Sequence, residues 1–585
     1  MFLENVNGPE DIKKLRVEDL QTLADETRQA LIYKLSNTGG HVGSNLGVVE
    51  LTVALHYVFD SPRDKIVWDV SHQCYPHKIL TGRKQAYTDP ARFREVTGFT
   101  NPKESPHDWF TVGHSSTSVS LALGLAKGRD VFGGNENIIA VIGDGAMSGG
   151  EAYEGLNFAG EYGRNLIIIL NDNEQSVAEN HGGLFAALKK LRESGGNSPD
   201  NLFKGLRLDY RYLEEGHDLP RLVALLESVK GIDHPVVLHV HTVKGKGLWF
   251  AEQNREDWHS GSPFFPESGK PKNGYPVYDT TVYDSLVDLL KTNEKSVVLT
   301  AGTPRAMGFV GQDRADWEAS GRFVDVGIAE ENALAISSGI AKYGGTAVFG
   351  VYAPFLQRTY DQLSHDLCLN NNPATILVLM PGAYGMKSNT HLGLCDIPML
   401  THLPNLIYLS PAYREDYIAM FRYATTQREH PVAIRVPNRF LSCGEPDTTD
   451  YSVTNQAKVL RRGKDVALIS VGTLIPKALE IADACAEQTG RQLTVIHPRF
   501  LTGLDGDLLE SLKADHRLVI TLEDGELDGG YGQRIAAYYG RSEMKVETLG
   551  ISKAFHSDFN ADALLAENGI SIEHIISLVK EGEIS

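Results

Sequence analysis

Cysteine is scarce. There are five in 585 residues (Cys74, Cys368, Cys395, Cys443 and Cys485), an odd number without paired spacing, which excludes a disulfide framework and fits a reducing compartment. No apolar run is long enough to cross a bilayer. The residues after Met1 turn acidic and polar where a secretory leader would place a basic segment and an apolar core. The expectation is a soluble, cytoplasmic protein. Positive charge is also short: 56 Lys and Arg stand against 75 Asp and Glu, a formal net charge of −19. That balance argues against nucleic acid or an anionic membrane as a partner. An anionic substrate must then be met by local Arg, Lys or His. The sequence shows no short-period repeat, low-complexity tail, P-loop, dinucleotide fingerprint or supported nucleophile elbow.

What is present is an alternation of short apolar runs with amphipathic stretches. Asn137–Gly143 reads as a buried strand, Glu151–Glu161 as a helix and Asn165–Leu170 as a second buried strand. The same look recurs at Ser296–Thr300, Ala347–Phe349 and Thr375–Met380, and again at Asp465–Val471, Leu493–Ile496 and Leu518–Leu522. The expected fold is α/β, with three successive doubly wound domains. A Pro-, Gly- and Ser-rich stretch at Ser260–Pro276 and a polar break near Ser442–Thr454 place the domains at 1–274, 275–444 and 445–585. Lys189–Asn201 reads as a mobile surface loop.

The strongest chemical signal is Gly143-Asp144-Gly145 at a strand end. Twenty-nine residues after Asp144, the next strand ends in Asn171-Asp172-Asn173. Adjacent parallel strands would deliver Asp144 and Asn173 side by side at their carboxyl ends, where α/β sheets bind ligands. A carboxylate, an amide oxygen, the carbonyl of Gln175 and diphosphate oxygens make a hard shell suited to Mg²⁺. Taken alone, Gly-Asp-Gly is equally a plain turn. The whole series of strand, Gly-Asp-Gly, helix, strand and Asn-Asp-Asn is the thiamine-diphosphate fingerprint.

Further segments carry a family likeness along nearly the whole chain. Thr38–Gly43, Asp69–Lys78, Gly113–Ser116, Gly327–Glu330, Phe355–Arg358, Arg435–Pro437, Glu523-Asp524 and Gly529–Gly532 resemble the 1-deoxy-D-xylulose-5-phosphate synthase family, more than ordinary transketolase. The resemblance implies a transketolase-like homodimer that uses thiamine diphosphate and Mg²⁺. It implies condensation of pyruvate with glyceraldehyde 3-phosphate, loss of CO₂ and formation of 1-deoxy-D-xylulose 5-phosphate, a transferase step that serves isoprenoid and thiamine biosynthesis. Carried residue by residue, it gives Asp144, Asn173 and Gln175 to the metal. His72, Gly113, His114, Ser115, Gly143, Gly145, Ala146 and Lys244 would seat the cofactor. Glu330 would bond the aminopyrimidine and Phe355 would stack on it. His41, His259 and His391 would line the channel for proton transfer, Arg358 would take a carboxylate, and Tyr352, Lys387 and Arg435 would face substrate. A carboxylic acid with a raised pKa suits Glu330, although a helix-start carboxylate is its bland alternative. His72, Cys74 and His77 also suggest zinc, without a fourth ligand of convincing spacing.

One stretch departs from the family. Where members read Asp-Arg-Ala-Gly-Leu-Val-Gly-Ala-Asp-Gly-Pro-Thr-His, this chain runs from Leu379 to His391 with Met380 in place of the phosphate-binding Arg and Lys387 in place of the second Asp. Lys387 is then expected to replace the lost Arg as an anion ligand. A paralogue that takes another aldehyde, or transfers a ketol group, stays open at this point. A cofactor-binding scaffold without chemistry is the non-enzyme alternative.

Overall fold

The computed structural model describes residues 2–274 and 279–581. The expected boundary at 274/275 and the last part of the Ser260–Pro276 linker lie outside the described residues. The chain divides into two compact units, one of Met1–Val277 with Gly327–Ala329, the other of Tyr278–Val326 with Glu330–Ser585.

The first unit holds a five-stranded sheet: β1 Lys65–Trp68, β2 Ile138–Gly143, β3 Leu166–Asp172, β4 Asp209–Leu213 and β5 Pro235–His241, all parallel in the order β1-β2-β3-β5-β4. Strand β2 shows why these strands are uninterrupted apolar runs. Ile138, Ala140 and Ile142 pack with helices Ser118–Val131 and Gly150–Tyr162, while Ile139 and Val141 pack with helices Leu20–Thr38, Val49–Val58 and Leu219–Glu227. Side chains alternate between faces, so a strand covered on both must be apolar at every position.

The second unit holds two sheets. The first contains β6 Ser296–Thr300, β7 Phe323–Asp325, β8 Thr346–Tyr352, β9 Thr375–Leu379, β10 Ile407–Leu409 and β11 Val432–Val436, all parallel in the order β10-β11-β9-β8-β6-β7. The second contains β12 Lys458–Arg461, β13 Asp465–Ser470, β14 Thr494–His497, β15 His516–Glu526 and β16 Lys545–Ile551, in the order β12-β14-β13-β15-β16, with β12 alone antiparallel to its neighbour. The three α/β layers are those expected. In the last one, Glu523 accepts bonds from the Tyr531 and Gly532 amides at 2.9 and 3.0 Å. The Glu523-Asp524 and Gly529–Gly532 motifs therefore meet where a buried carboxylate caps the helix Tyr531–Tyr539.

The Lys189–Asn201 reading needs correction. Lys189–Glu193 is the last part of a helix, Gly183–Glu193, that buries Leu188 and Leu191. Only the turn that follows is irregular, with Gly195 and Gly196 at φ of 57° and 82°. Asn201 then caps a short helix, accepting from the Phe203 and Lys204 amides. Among the described residues no helix is long and apolar enough to cross a membrane.

Candidate active site

In the first unit, β2 and β3 pair in a register that sets Gly143 opposite Asn171. Asp144 and Asn173 therefore leave neighbouring strands, which lie about 4.8 Å apart, within one residue of the same level. Both are buried. Burial, reinforced by the nearby Asp172 carboxylate, raises the Asp144 carboxyl above its ordinary range. Asp172 itself is held the other way by His239 at 2.8 Å and by Arg192. The Asn173 amide oxygen accepts from the Gln175 amide at 3.2 Å, which leaves one of its two lone pairs for another partner. A Cβ placed on Gly143 would meet no atom within 4 Å, so the space beside this strand end is open. A buried carboxylate that resists ionisation, beside an amide oxygen and open space, fits a divalent hard cation.

Sequence reading missed Asn180. Its Nδ2 donates to Asp144 Oδ2 at 2.6 Å, and its buried Oδ1 has no hydrogen-bond partner among the described residues. No spacing pattern marks it. It enters only through the bend that brings residue 180 back over β2.

The Gly113–Ser116 loop is stitched to this strand end. Ser116 Oγ donates to the Ala146 carbonyl at 2.7 Å, and the Ser116 amide donates to Asp69 at 2.8 Å. A Cβ on Gly149 would collide with Ser116 Oγ. Ser71 Oγ donates to the Val112 carbonyl at 3.0 Å, joining the His72 loop to the same group. Val70 and Ser71 sit at φ of 57° and 64°. Left-handed backbone at a β-branched residue costs energy and is typical of functional loops. His114, Ser115 and Gly145 belong to the same loops.

His41, His72 and His259 converge. Their ring centroids lie 5.1 Å apart for His41–His72, 5.1 Å for His72–His259 and 5.6 Å for His41–His259. Asn45, also missed from sequence, ties two of these segments together. Its Nδ2 donates to the His41 and His72 carbonyls at 2.7 and 2.8 Å, while its Oδ1 accepts from the Tyr75 amide at 2.9 Å. Lys244 lies 3.2 Å from His259 Nδ1 and donates to the Ser176 carbonyl at 2.5 Å. Burial lowers Lys244 to about 7 and holds His259 well below the ordinary imidazole range. His259, expected to serve proton transfer, is thus held as a neutral hydrogen-bonding group. His77 turns away into a buried chain with His56 and Asp108, both at 2.9 Å, and burial raises the Cys74 thiol to about 12. Among the described residues no group of His, Cys, Asp and Glu is arranged for a metal of the zinc kind.

In the second unit, Glu330 opens the helix Glu330–Tyr343 but is buried. This disposes of the exposed helix-start reading. Burial raises its carboxyl to about 7, and Arg358 Nη1, at 3.8 Å from Oε2, only partly opposes that. Phe355 lies on the short helix Ala353–Leu356, with ring centroids 5.9 Å from Tyr352 and 5.4 Å from His391. Burial lowers His391 to about 4, so it too is neutral, and Thr390 Oγ1 lies 2.8 Å from its Nδ1. The structure pairs Glu330 with Arg358, and separately brings Phe355 against Tyr352 and His391.

The departing stretch divides. Met380 sits at φ 55° just after β9. Lys387 is exposed, and its carbonyl accepts from the Asp558 amide at 2.7 Å. Arg435 does not face substrate, and the expectation that it binds phosphate is corrected. It is wholly buried, with Nε bonded to Asp396 at 2.7 Å and Nη1 to Asp524 and Thr473 at 2.7 and 3.1 Å. Its remaining nitrogen, Nη2, donates to Asp396 at 3.2 Å. Every guanidinium nitrogen is committed inside the protein.

Family models match three successive stretches of the chain: 1-deoxy-D-xylulose-5-phosphate synthase over residues 3–198, the transketolase pyrimidine binding domain over 277–442 and the transketolase C-terminal domain over 455–575. Fold and matches together define an enzyme of the transketolase type. The chain is 38% identical, over 97% of its own length and 95% of the relative's, to 1-deoxy-D-xylulose-5-phosphate synthase 1 of Geobacter sulfurreducens. It is 37% identical to the 1-deoxy-D-xylulose-5-phosphate synthase of Carboxydothermus hydrogenoformans, over 99% of both chains. It is 38% identical to that of Natranaerobius thermophilus, over 91% of this chain and 90% of the relative. The chain belongs to the 1-deoxy-D-xylulose-5-phosphate synthase family.

Proposed function

We propose that this protein condenses pyruvate with glyceraldehyde 3-phosphate, releasing CO₂ and forming 1-deoxy-D-xylulose 5-phosphate, with thiamine diphosphate and Mg²⁺ as cofactors. The observation that carries this reading is a buried carboxyl, Glu330, raised to about 7, in a chain of this family. Asp144, Asn173 and the Gln175 carbonyl would hold Mg²⁺, with Asn180 fixing the second oxygen of Asp144. His72, the Gly113–Ser115 loop, Gly143, Gly145, Ala146 and Lys244 would seat the diphosphate and thiazolium. When bound, thiamine diphosphate supplies a nucleophilic carbon and an electron sink for decarboxylation. Glu330, protonated over much of the neutral range, donates to the aminopyrimidine nitrogen. Phe355 would stack on the same heterocycle. Arg358 presents a fork to the pyruvate carboxylate. His259 and His391, as neutral imidazoles, accept or donate hydrogen bonds at substrate oxygens without adding charge, and His41 lines the same channel. Lys387, exposed on its loop, meets the acceptor phosphate in place of the Arg that Met380 replaces. We further infer a cytoplasmic homodimer, which light scattering in solution tests.

The experiment is CO₂ release from carboxyl-labelled pyruvate with Mg²⁺ and thiamine diphosphate, with and without glyceraldehyde 3-phosphate. Release coupled to the aldehyde supports the reading. Release unaffected by that aldehyde but stimulated by another would transfer the case to the paralogue with a different acceptor.

A further inference from the structure

Both ends of the 382–394 loop, which carries Lys387 and His391, are sewn to the third sheet domain within the second unit. The Ala383 amide donates to the Asp524 carbonyl at 2.8 Å, and the Glu526 amide donates to the Leu394 carbonyl at 2.8 Å. Between these ends, the Asp558 amide holds the Lys387 carbonyl at 2.7 Å, and Tyr384 OH donates to Asp562 Oδ1 at 2.8 Å. At its base the loop closes on itself where the Gly382 amide donates to the Gly393 carbonyl at 2.8 Å, and its other internal main-chain bonds are local turns, Gly385 to Gly382 and His391 to Ser388. Beneath it lies the Asp396–Arg435–Asp524 group, which joins the start of helix Asp396–Thr401, strand β11 and strand β15. Gly382, at φ 72°, passes so close to the Asp524 carboxylate that a Cβ there would collide with it.

We propose that the third domain is the template for this loop. Its Asp524, Glu526, Asp558 and Asp562 fix the loop's path, and so set where His391 and Lys387 stand toward the acceptor. Asp524 and Asp562 are then positioning residues. They come from β15 and from the segment around 558–562, elements that carry none of the residues assigned above to cofactor or substrate. Three of the bonds are main chain to main chain, at Ala383, Lys387 and Leu394, and the outer two anchor a span of twelve residues. Such a span keeps one conformation only while both anchors hold. The claim about loop order rests on geometry alone, whereas the claim about the acceptor rests on the activity proposed above.

The test uses the full chain, with hydrogen exchange at the Ala383, Glu526 and Asp558 amides measured without substrates. Asp562→Ala removes one exposed partner without opening the core. It should speed exchange at the Ala383 and Asp558 amides about fivefold, the worth of one side-chain hydrogen bond. The KM for glyceraldehyde 3-phosphate should rise by a similar factor, with the KM for pyruvate unchanged. Asp562→Asn, which keeps an acceptor oxygen, should restore both. Asp524→Asn, which weakens the Arg435 ion pair that holds β15 beneath the loop, should give larger changes in the same amides. Unchanged exchange in both Asp562→Ala and Asp524→Asn overturns the docking. Faster exchange with an unchanged aldehyde KM overturns the positioning role. If the unmodified protein consumes no glyceraldehyde 3-phosphate, the activity reading fails, and the exchange results still decide the docking.

Discussion

Replacing Glu330 with Gln should stabilise the protein while disabling it, and the stabilisation should depend on pH. A carboxyl held near 7 instead of 4.5 costs about 3 kcal/mol to ionise within the fold, at roughly 1.4 kcal/mol for each factor of ten. The penalty comes from burial, and the Arg358 guanidinium at 3.8 Å is too distant to cancel it. Below pH 4.5 the group is protonated in both folded and unfolded chains, so it costs nothing. As pH rises from 4.5 to 7 the unfolded chain ionises first, and stability drains away. Above pH 7 the full penalty applies. An amide carries no charge, so Glu330→Gln should match the parent near pH 4.5 and exceed it by up to about 3 kcal/mol at pH 8. With roughly 2–4 °C per kcal/mol, the melting transition of the second unit should move by several degrees at pH 8. The assay is a series of melts of the cofactor-free protein from pH 5 to 8. Turnover of the same variant should fall about 10²- to 10⁴-fold, because the proton offered to the aminopyrimidine is lost. A melting difference that stays constant across pH, or a variant less stable at pH 8 than its parent, would refute the reasoning.

Asn173→Ala should weaken Mg²⁺-dependent thiamine diphosphate binding at least about tenfold in a calorimetric titration, and Asn180→Ala by about tenfold through the loosened Asp144. Lys387→Ala should raise the KM for glyceraldehyde 3-phosphate about fivefold or more, and an unchanged value removes Lys387 from the anion site. Arg435→Met should cost about 3–5 kcal/mol, because it leaves the buried Asp396 and Asp524 without their cation. A loss of acceptor affinity with an unchanged melting temperature would restore Arg435 as a phosphate ligand.

The elements most legible in the sequence were central strands. Strands β2, β3, β9 and β13 are covered on both faces, so they announce themselves as continuous apolar runs. The edge strand β4, Asp-Tyr-Arg-Tyr-Leu, and the three-residue β10 carry no such signature. The last turn of the helix Gly183–Glu193 reads as loop because the Gly-Gly-Asn-Ser-Pro that follows dominates its composition. Within the site, motif reading named His41, His72 and His259 one at a time, but only the fold shows their rings packed together. Arg435 was misread for a physical reason. The resemblance alone gave it a ligand, and the partners that commit it, Asp396 and Asp524, lie 39 and 89 residues away. Asn45 and Asn180 act through single amides on remote backbone or carboxylate, a kind of bond that leaves no periodicity to read.

The most direct measurement is mass spectrometry of the product formed from carbon-13-labelled pyruvate and glyceraldehyde 3-phosphate with Mg²⁺ and thiamine diphosphate. The expected product is 1-deoxy-D-xylulose 5-phosphate that carries two labelled carbons from fully labelled pyruvate, the third leaving as CO₂. A labelled product from another aldehyde alone, or no carbon–carbon bond formed with any aldehyde, would contradict the account.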